Sequence, residues 1–210
     1  MASTLKIDTL TTPDGTGNIT FSRPIVADGA ALTNLPAGSG WNFVSSATAS
    51  GSASLAFTNM IAGYDYEYVF NSLVSASNTV ELNCQLGVSG PTYRTSGYAM
   101  QCVGVNTSGT SYSTEETDSF VIVGPGEGMG TGTDEGLRAG SFTLSDPATS
   151  STKTGAYGFV ALFGASPQPN PQWVTGFYQA TAEANVACRF LCSSGNITSG
   201  TVYQYRRSLS

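Results

Sequence analysis

The chain has 210 residues, 40% of them hydrophobic and only 10% charged, and carries a formal net charge of −6. A charged fraction well under the usual level of about 25% leaves few surface helix formers, so the composition disfavours a helical protein and suits strands rich in Thr, Val, Tyr and Phe. The 14 acids outnumber the 8 bases, and Lys6 and Lys153 are the lysines, so the basic stripe of a nucleic-acid binder is missing and an anionic membrane surface would repel the chain.

Residues 1–38 read as an extended N-terminal arm. Leu5 and Ile7 share one face of an extended stretch, with Lys6 and Asp8 on the other. Leu10 follows, then a turn at Pro13-Asp14-Gly15, then Ile19 and Phe21, then Leu32 and Leu35 before Pro36. These apolar residues are too sparse to form a core alone. They must bury against the body, against copies of the same chain, or against a larger assembly; a disordered tail is the alternative. Met1–Asp8 lacks an apolar core of signal-peptide length, and no run approaches the roughly 20 apolar residues of a spanning helix. The expectation is synthesis in a host cytoplasm without the usual export signal, and no membrane insertion.

Pro36–Gly40 reads as a hinge, and residues 39–210 as a β-sandwich domain opened by Trp41. Predicted strands follow in order: Trp41–Ser45, Ser52–Thr58, Tyr64–Phe70, Thr79–Leu86, a stretch near Thr92–Val105, Asp118–Val123, Gly140–Leu144, Ala156–Phe163, Gln172–Ala180, Ala184–Cys192 and Thr201–Arg206. Tyr64, Tyr66, Tyr68 and Phe70 alternate onto one face. Val80, Leu82, Cys84 and Leu86 point inward, with Glu81, Asn83 and Gln85 outward, as in an antiparallel strand with one wet face. No segment offers a convincing amphipathic helix. The fold class expected is all-β, an antiparallel jelly-roll-like β-sandwich preceded by the arm. Residues 106–117 and 124–136 are read as long loops.

Chemistry is scarce. Without histidine, Ser-His-Asp and Cys-His catalysis is excluded. Glu115, Glu116 and Asp118 form one carboxylate cluster, and Glu127, Asp134 and Glu135 another. Both lie in polar stretches and read as solvated loop charge rather than a glycosidase pair. The second set could supply oxygen ligands to calcium, but its spacing matches no calcium repeat, so no metal and no cofactor are expected. Cys84, Cys102, Cys188 and Cys192 read as small buried hydrophobes kept reduced, because zinc sites prefer paired Cys or Cys/His sets. Aromatic residues able to stack on sugar rings are Tyr93, Tyr98, Tyr112, Trp173 and Tyr178, although for each of them taken singly a place in the sandwich core is the better reading.

Several phrases resemble structural proteins of tailed bacteriophages, especially marine and cyanobacterial ones. These are Ser3–Leu10 with Gly17–Ser22, Asp28–Pro36, which looks like segments leading into phage fibre domains, and Arg189–Tyr203, which is similar to a final fibre-domain hairpin. The resemblance implies a virion surface location, a homotrimer and contact with other virion proteins of the tail or capsid. It implies no active-site residues. The expected function is a non-enzymatic short tail-fibre or tail-tip protein whose sandwich faces the host and binds surface glycan. The alternative is a capsid decoration protein whose arm augments the major capsid protein.

Overall fold

The computed structural model describes residues 40–88, 92–105, 111–116 (backbone alone), 118–124, 128–132, 134–164 and 169–209. The arm residues Leu5, Ile7, Leu10, Ile19, Phe21, Leu32 and Leu35 lie outside the described residues.

Among the described residues twelve strands run through the body: β1 (Asn42–Thr48), β2 (Leu55–Phe57), β3 (Tyr64–Ser75), β4 (Leu82–Gly87), β5 (Tyr98–Val105), β6 (Ser111–Glu116), β7 (Phe120–Val123), β8 (Gly136–Ser145), β9 (Gly155–Phe163), β10 (Pro169–Tyr178), β11 (Ala187–Cys192) and β12 (Ile197–Ser208). All described pairings are antiparallel. One sheet has the order β1-β12-β3-β8-β9-β10-β5-β6 and the other β2-β11-β4-β7. Without the β5–β6 and β9–β10 hairpins, eight strands remain as β1-β12-β3-β8 and β2-β11-β4-β7. The chain alternates between these sheets from β1 to β4, returns along β7 to β8, and closes with β11 and β12. This interleaving is the jelly-roll arrangement, so the expected fold class is the one observed. The two hairpins extend the first sheet beyond β8 and make it twice as wide as the second.

Alternation explains the core. Tyr66, Tyr68 and Phe70 of β3 are buried, as are Val80, Leu82, Cys84 and Leu86. Between the sheets, the ring of Phe190 on β11 packs edge-on against Tyr68 and Phe70, with centroids 5.0 and 5.4 Å away. Phe57 and Phe142 close the same cluster. Buried tyrosines keep their hydroxyls bonded. Tyr68 donates to the Met60 sulfur and accepts from Gln204 Nε2 at 3.1 Å. Polar groups also join the sheets at the wide end, where Gln172 Oε1 of β10 accepts from the Gly124 N–H at 2.8 Å.

Two expectations need correction. Residues 106–117 are not one loop, because Ser111–Glu116 is β6, paired with β5 from Met100↔Glu116 to Val105↔Ser111. Its Ser-Tyr-Ser-Thr-Glu-Glu sequence has no apolar alternation, and the backbone ladder offered by β5 creates the strand. The outward face of β4 is also less wet than expected. Gln85 is buried, because Arg189 of β11 donates Nε and Nη2 to its Oε1 at 3.0 and 2.7 Å.

Candidate functional site

The outer face of the wide sheet is where a wet surface is expected and where large rings are found. Tyr157 (51% exposed), Phe159 (45%), Trp173 (50%) and Phe177 (48%) all stand there, on the neighbouring strands β9 and β10. Their direction follows from packing on the inner face. Gly158 lies opposite Phe142 in the β8–β9 register, and a Cβ on Gly158 would come within 2.6 Å of the Ser141 carbonyl oxygen. Gly176 lies opposite Met100, and a Cβ there would sit 2.5 Å from Met100 Cβ. Phe142 and Met100 need that interior space. Glycines therefore face in, and the aromatic residues that alternate with them face out.

These rings form one wall of a trough of about 560 Å³. Tyr157, Phe159 and Trp173 make the aromatic wall, and Phe159 and Trp173 pack at 5.4 Å with a 53° tilt. Ser141 and Thr143, small side chains of β8, form the low floor together with the backbone of Gly158 on β9. Glu67 of β3, Arg207 of β12 and Trp41 make the opposite wall. The register runs Tyr205, Glu67, Thr143, Tyr157, Thr175 across five adjacent strands, so Glu67 and Tyr157 share one lateral row two strands apart, with Arg207 in the row on one side and Phe159 and Trp173 in the row on the other. Arg207 is held from two sides. Its Nη2 meets Asp65 Oδ2 at 2.7 Å, and its guanidinium carbon lies 4.9 Å from the Trp41 ring centroid. The Asp65 carboxylate raises the Arg207 pKa, so the guanidinium stays charged at any working pH.

The sequence-predicted stacking residues scatter. Trp173 lines the trough. Tyr98 and Tyr178 do not, and their assignment as surface stackers is corrected: both are buried, with centroids 5.1 Å apart. Tyr98 also packs on Phe120 at 4.9 Å, and its hydroxyl accepts from the Leu86 N–H and donates to the Arg94 carbonyl. Tyr93 is half-buried over the narrow sheet, with the Arg189 guanidinium 4.4 Å above its ring, so that face is already taken. The Tyr112 side chain lies outside the described residues. Sequence reasoning missed Trp41, Glu67, Tyr157, Phe159 and Arg207. The available signal was Ala156–Phe163, where both alternating sets are apolar.

The carboxylate clusters do not converge into a described site. Glu127 lies outside the described residues, as do the side chains of Glu115 and Glu116; Asp118 is exposed. Asp134 is 98% exposed and faces Arg138 at 3.9 Å, and Glu135 Oε2 accepts from the Gly132 N–H at 2.9 Å. Among the described residues no group of three or more His, Cys, Asp or Glu side chains is placed to hold a metal ion. The four cysteines are free and buried. Burial pushes the Cys102 and Cys192 thiols up to about 11, which leaves them unreactive at neutral pH. No family model matches the chain, and no curated protein or solved structure matches it either.

Proposed function

We propose that the chain is a non-enzymatic structural protein of a bacteriophage particle, displayed on the virion surface as a short homotrimeric tail-fibre or tail-tip protein. Its arm docks to other virion proteins, and its sandwich faces the host and binds surface glycan. The observation that supports the host-facing role is the aromatic trough. A sheet face turned to water normally carries polar residues, and a concave cluster of exposed rings marks a binding surface. Rings with apolar faces and polar surroundings suit sugars. The phage assignment draws on the phrases at the two ends of the chain.

A capsid decoration protein is the second reading. The regular Leu5/Ile7 alternation in the arm favours it, because an extended segment of that kind can add a strand to a major capsid protein. Copy number per purified particle separates the two. A few trimers per tail is the expected result, hundreds of copies would replace the fibre with the decoration protein, and absence from particles would sink both. Prolonged incubation with host envelope should release no sugar; release would make the protein an enzyme.

A further inference from the structure

The two walls of the trough differ in chemistry, and that difference specifies a ligand. One wall is Tyr157, Phe159 and Trp173, flat apolar surfaces that can cover the C–H face of a pyranose. The other holds an acceptor and a donor: the Glu67 carboxylate and the Arg207 guanidinium, which is fixed by Asp65 and Trp41. The floor is formed by Ser141, which is half-buried, and by Thr143, which is buried. A volume of about 560 Å³ falls within the roughly 300–1,000 Å³ of small-molecule clefts. The local charge is two carboxylates, Asp65 and Glu67, against one guanidinium, on a chain of net charge −6. Asp65 already neutralises Arg207, so the Glu67 charge is left to repel an acidic sugar, while the N–H groups of Arg207 beyond Nη2 can still donate to a neutral hydroxyl. The interior of a protein–protein interface is depleted of charge, whereas this trough has Glu67 and Arg207 along one side.

We propose that the trough binds a short neutral glycan, one sugar ring stacked on Trp173 and Tyr157, its hydroxyls donating to Glu67 and accepting from Arg207. This rests on the glycan-binding role given to the body above. The ligand class is narrower than "host glycan": neutral pyranosides bind, and sialylated or uronic-acid sugars do not. Glu67 is the discriminating residue, because its carboxylate both accepts a sugar hydroxyl and repels a sugar carboxylate.

The chain has two tryptophans, Trp41 and Trp173, and both line the trough, so intrinsic tryptophan emission reports on this site alone. The full chain is titrated with cellotriose, with lactose and with sialyllactose. Saturable emission changes are expected with at least one of the two neutral sugars and none with sialyllactose. Trp173→Ala, followed through Trp41, should weaken neutral-sugar binding about tenfold, and Trp173→Phe should restore part of it. Glu67→Gln should weaken neutral binding and admit sialyllactose. Circular dichroism confirms that each variant is folded. Preference for sialyllactose would overturn the neutral class while leaving a glycan-binding body. No emission change with any of the three sugars near their solubility limits would overturn the site. Loss of the trimer in Trp173→Ala, read by sedimentation, would make the trough a self-interface and overturn the proposal. Neutral-sugar binding by a protein absent from purified particles would leave this inference standing while the virion reading falls.

Discussion

Arg207, near the end of β12, stacks on Trp41, the residue that opens the body, with 4.9 Å between the guanidinium carbon and the ring centroid. The contact ties the residue just before the first strand to the last strand and builds one wall of the trough. Asp65 beneath it is only 6% exposed and depends on Arg207 for its 2.7 Å ion pair. Arg207→Ala is expected to free the Trp41 ring and shift tryptophan emission to longer wavelength, with a lower melting temperature. An unchanged spectrum would mean that the stack does not hold in solution.

Phe190 is the centre of the inter-sheet core, fully buried and in ring contact with Phe57, Tyr68, Phe70 and Phe142. Phe190→Ala should cost about 3–5 kcal/mol, the range for opening an aromatic-sized cavity. The urea midpoint measures it, with the slope unchanged if the native state stays intact. Trp173→Ala, on the outer face, should shift that midpoint far less.

Gly140 sits within β8 at φ +139, and a Cβ there would overlap the Phe159 carbonyl oxygen and lie 2.6 Å from Val160 Cα. Gly140→Ala should therefore destabilise by roughly 2–3 kcal/mol through backbone strain and overlap together. Gly51→Ala is the contrast. It also has positive φ but open space around it, so only the strain remains. Equal losses at the two positions would rule out the overlap.

Burial raises the thiols of Cys102 and Cys192 from 9.0 to about 11 in the folded state. A raised folded pKa means that the native state holds its proton where the unfolded chain has lost it. The stabilisation is complete below the unfolded value and disappears as pH climbs through the folded one. Urea midpoints should stay level to about pH 9 and fall by about pH 11. Cys102→Ala should flatten part of that slope. In the native protein a thiol reagent at neutral pH should label none of the four cysteines, and after unfolding it should label all of them.

The body Ala37–Ser210 forms a compact unit by itself. Deleting residues 1–36 should leave a protein with the same circular dichroism and melting temperature that no longer joins the particle. Normal incorporation of the truncated chain would remove the docking role from the arm.

The sequence by itself determined the all-β class, the jelly-roll expectation and most of the core. Period-two alternation states which residues share a face, and in Tyr66–Phe70 and Val80–Leu86 only one of the two faces is apolar enough to be buried. It did not determine β6, whose polar residues become a strand only because β5 supplies a ladder. Nor did it determine the trough. In Ala156–Phe163 both faces are apolar, so alternation cannot say which one meets water. Phe142 and Met100, brought opposite Gly158 and Gly176 by strand register, settled that by occupying the inner side. The aromatic rings were thereby turned outward, beside Glu67 and Arg207 from strands distant in sequence.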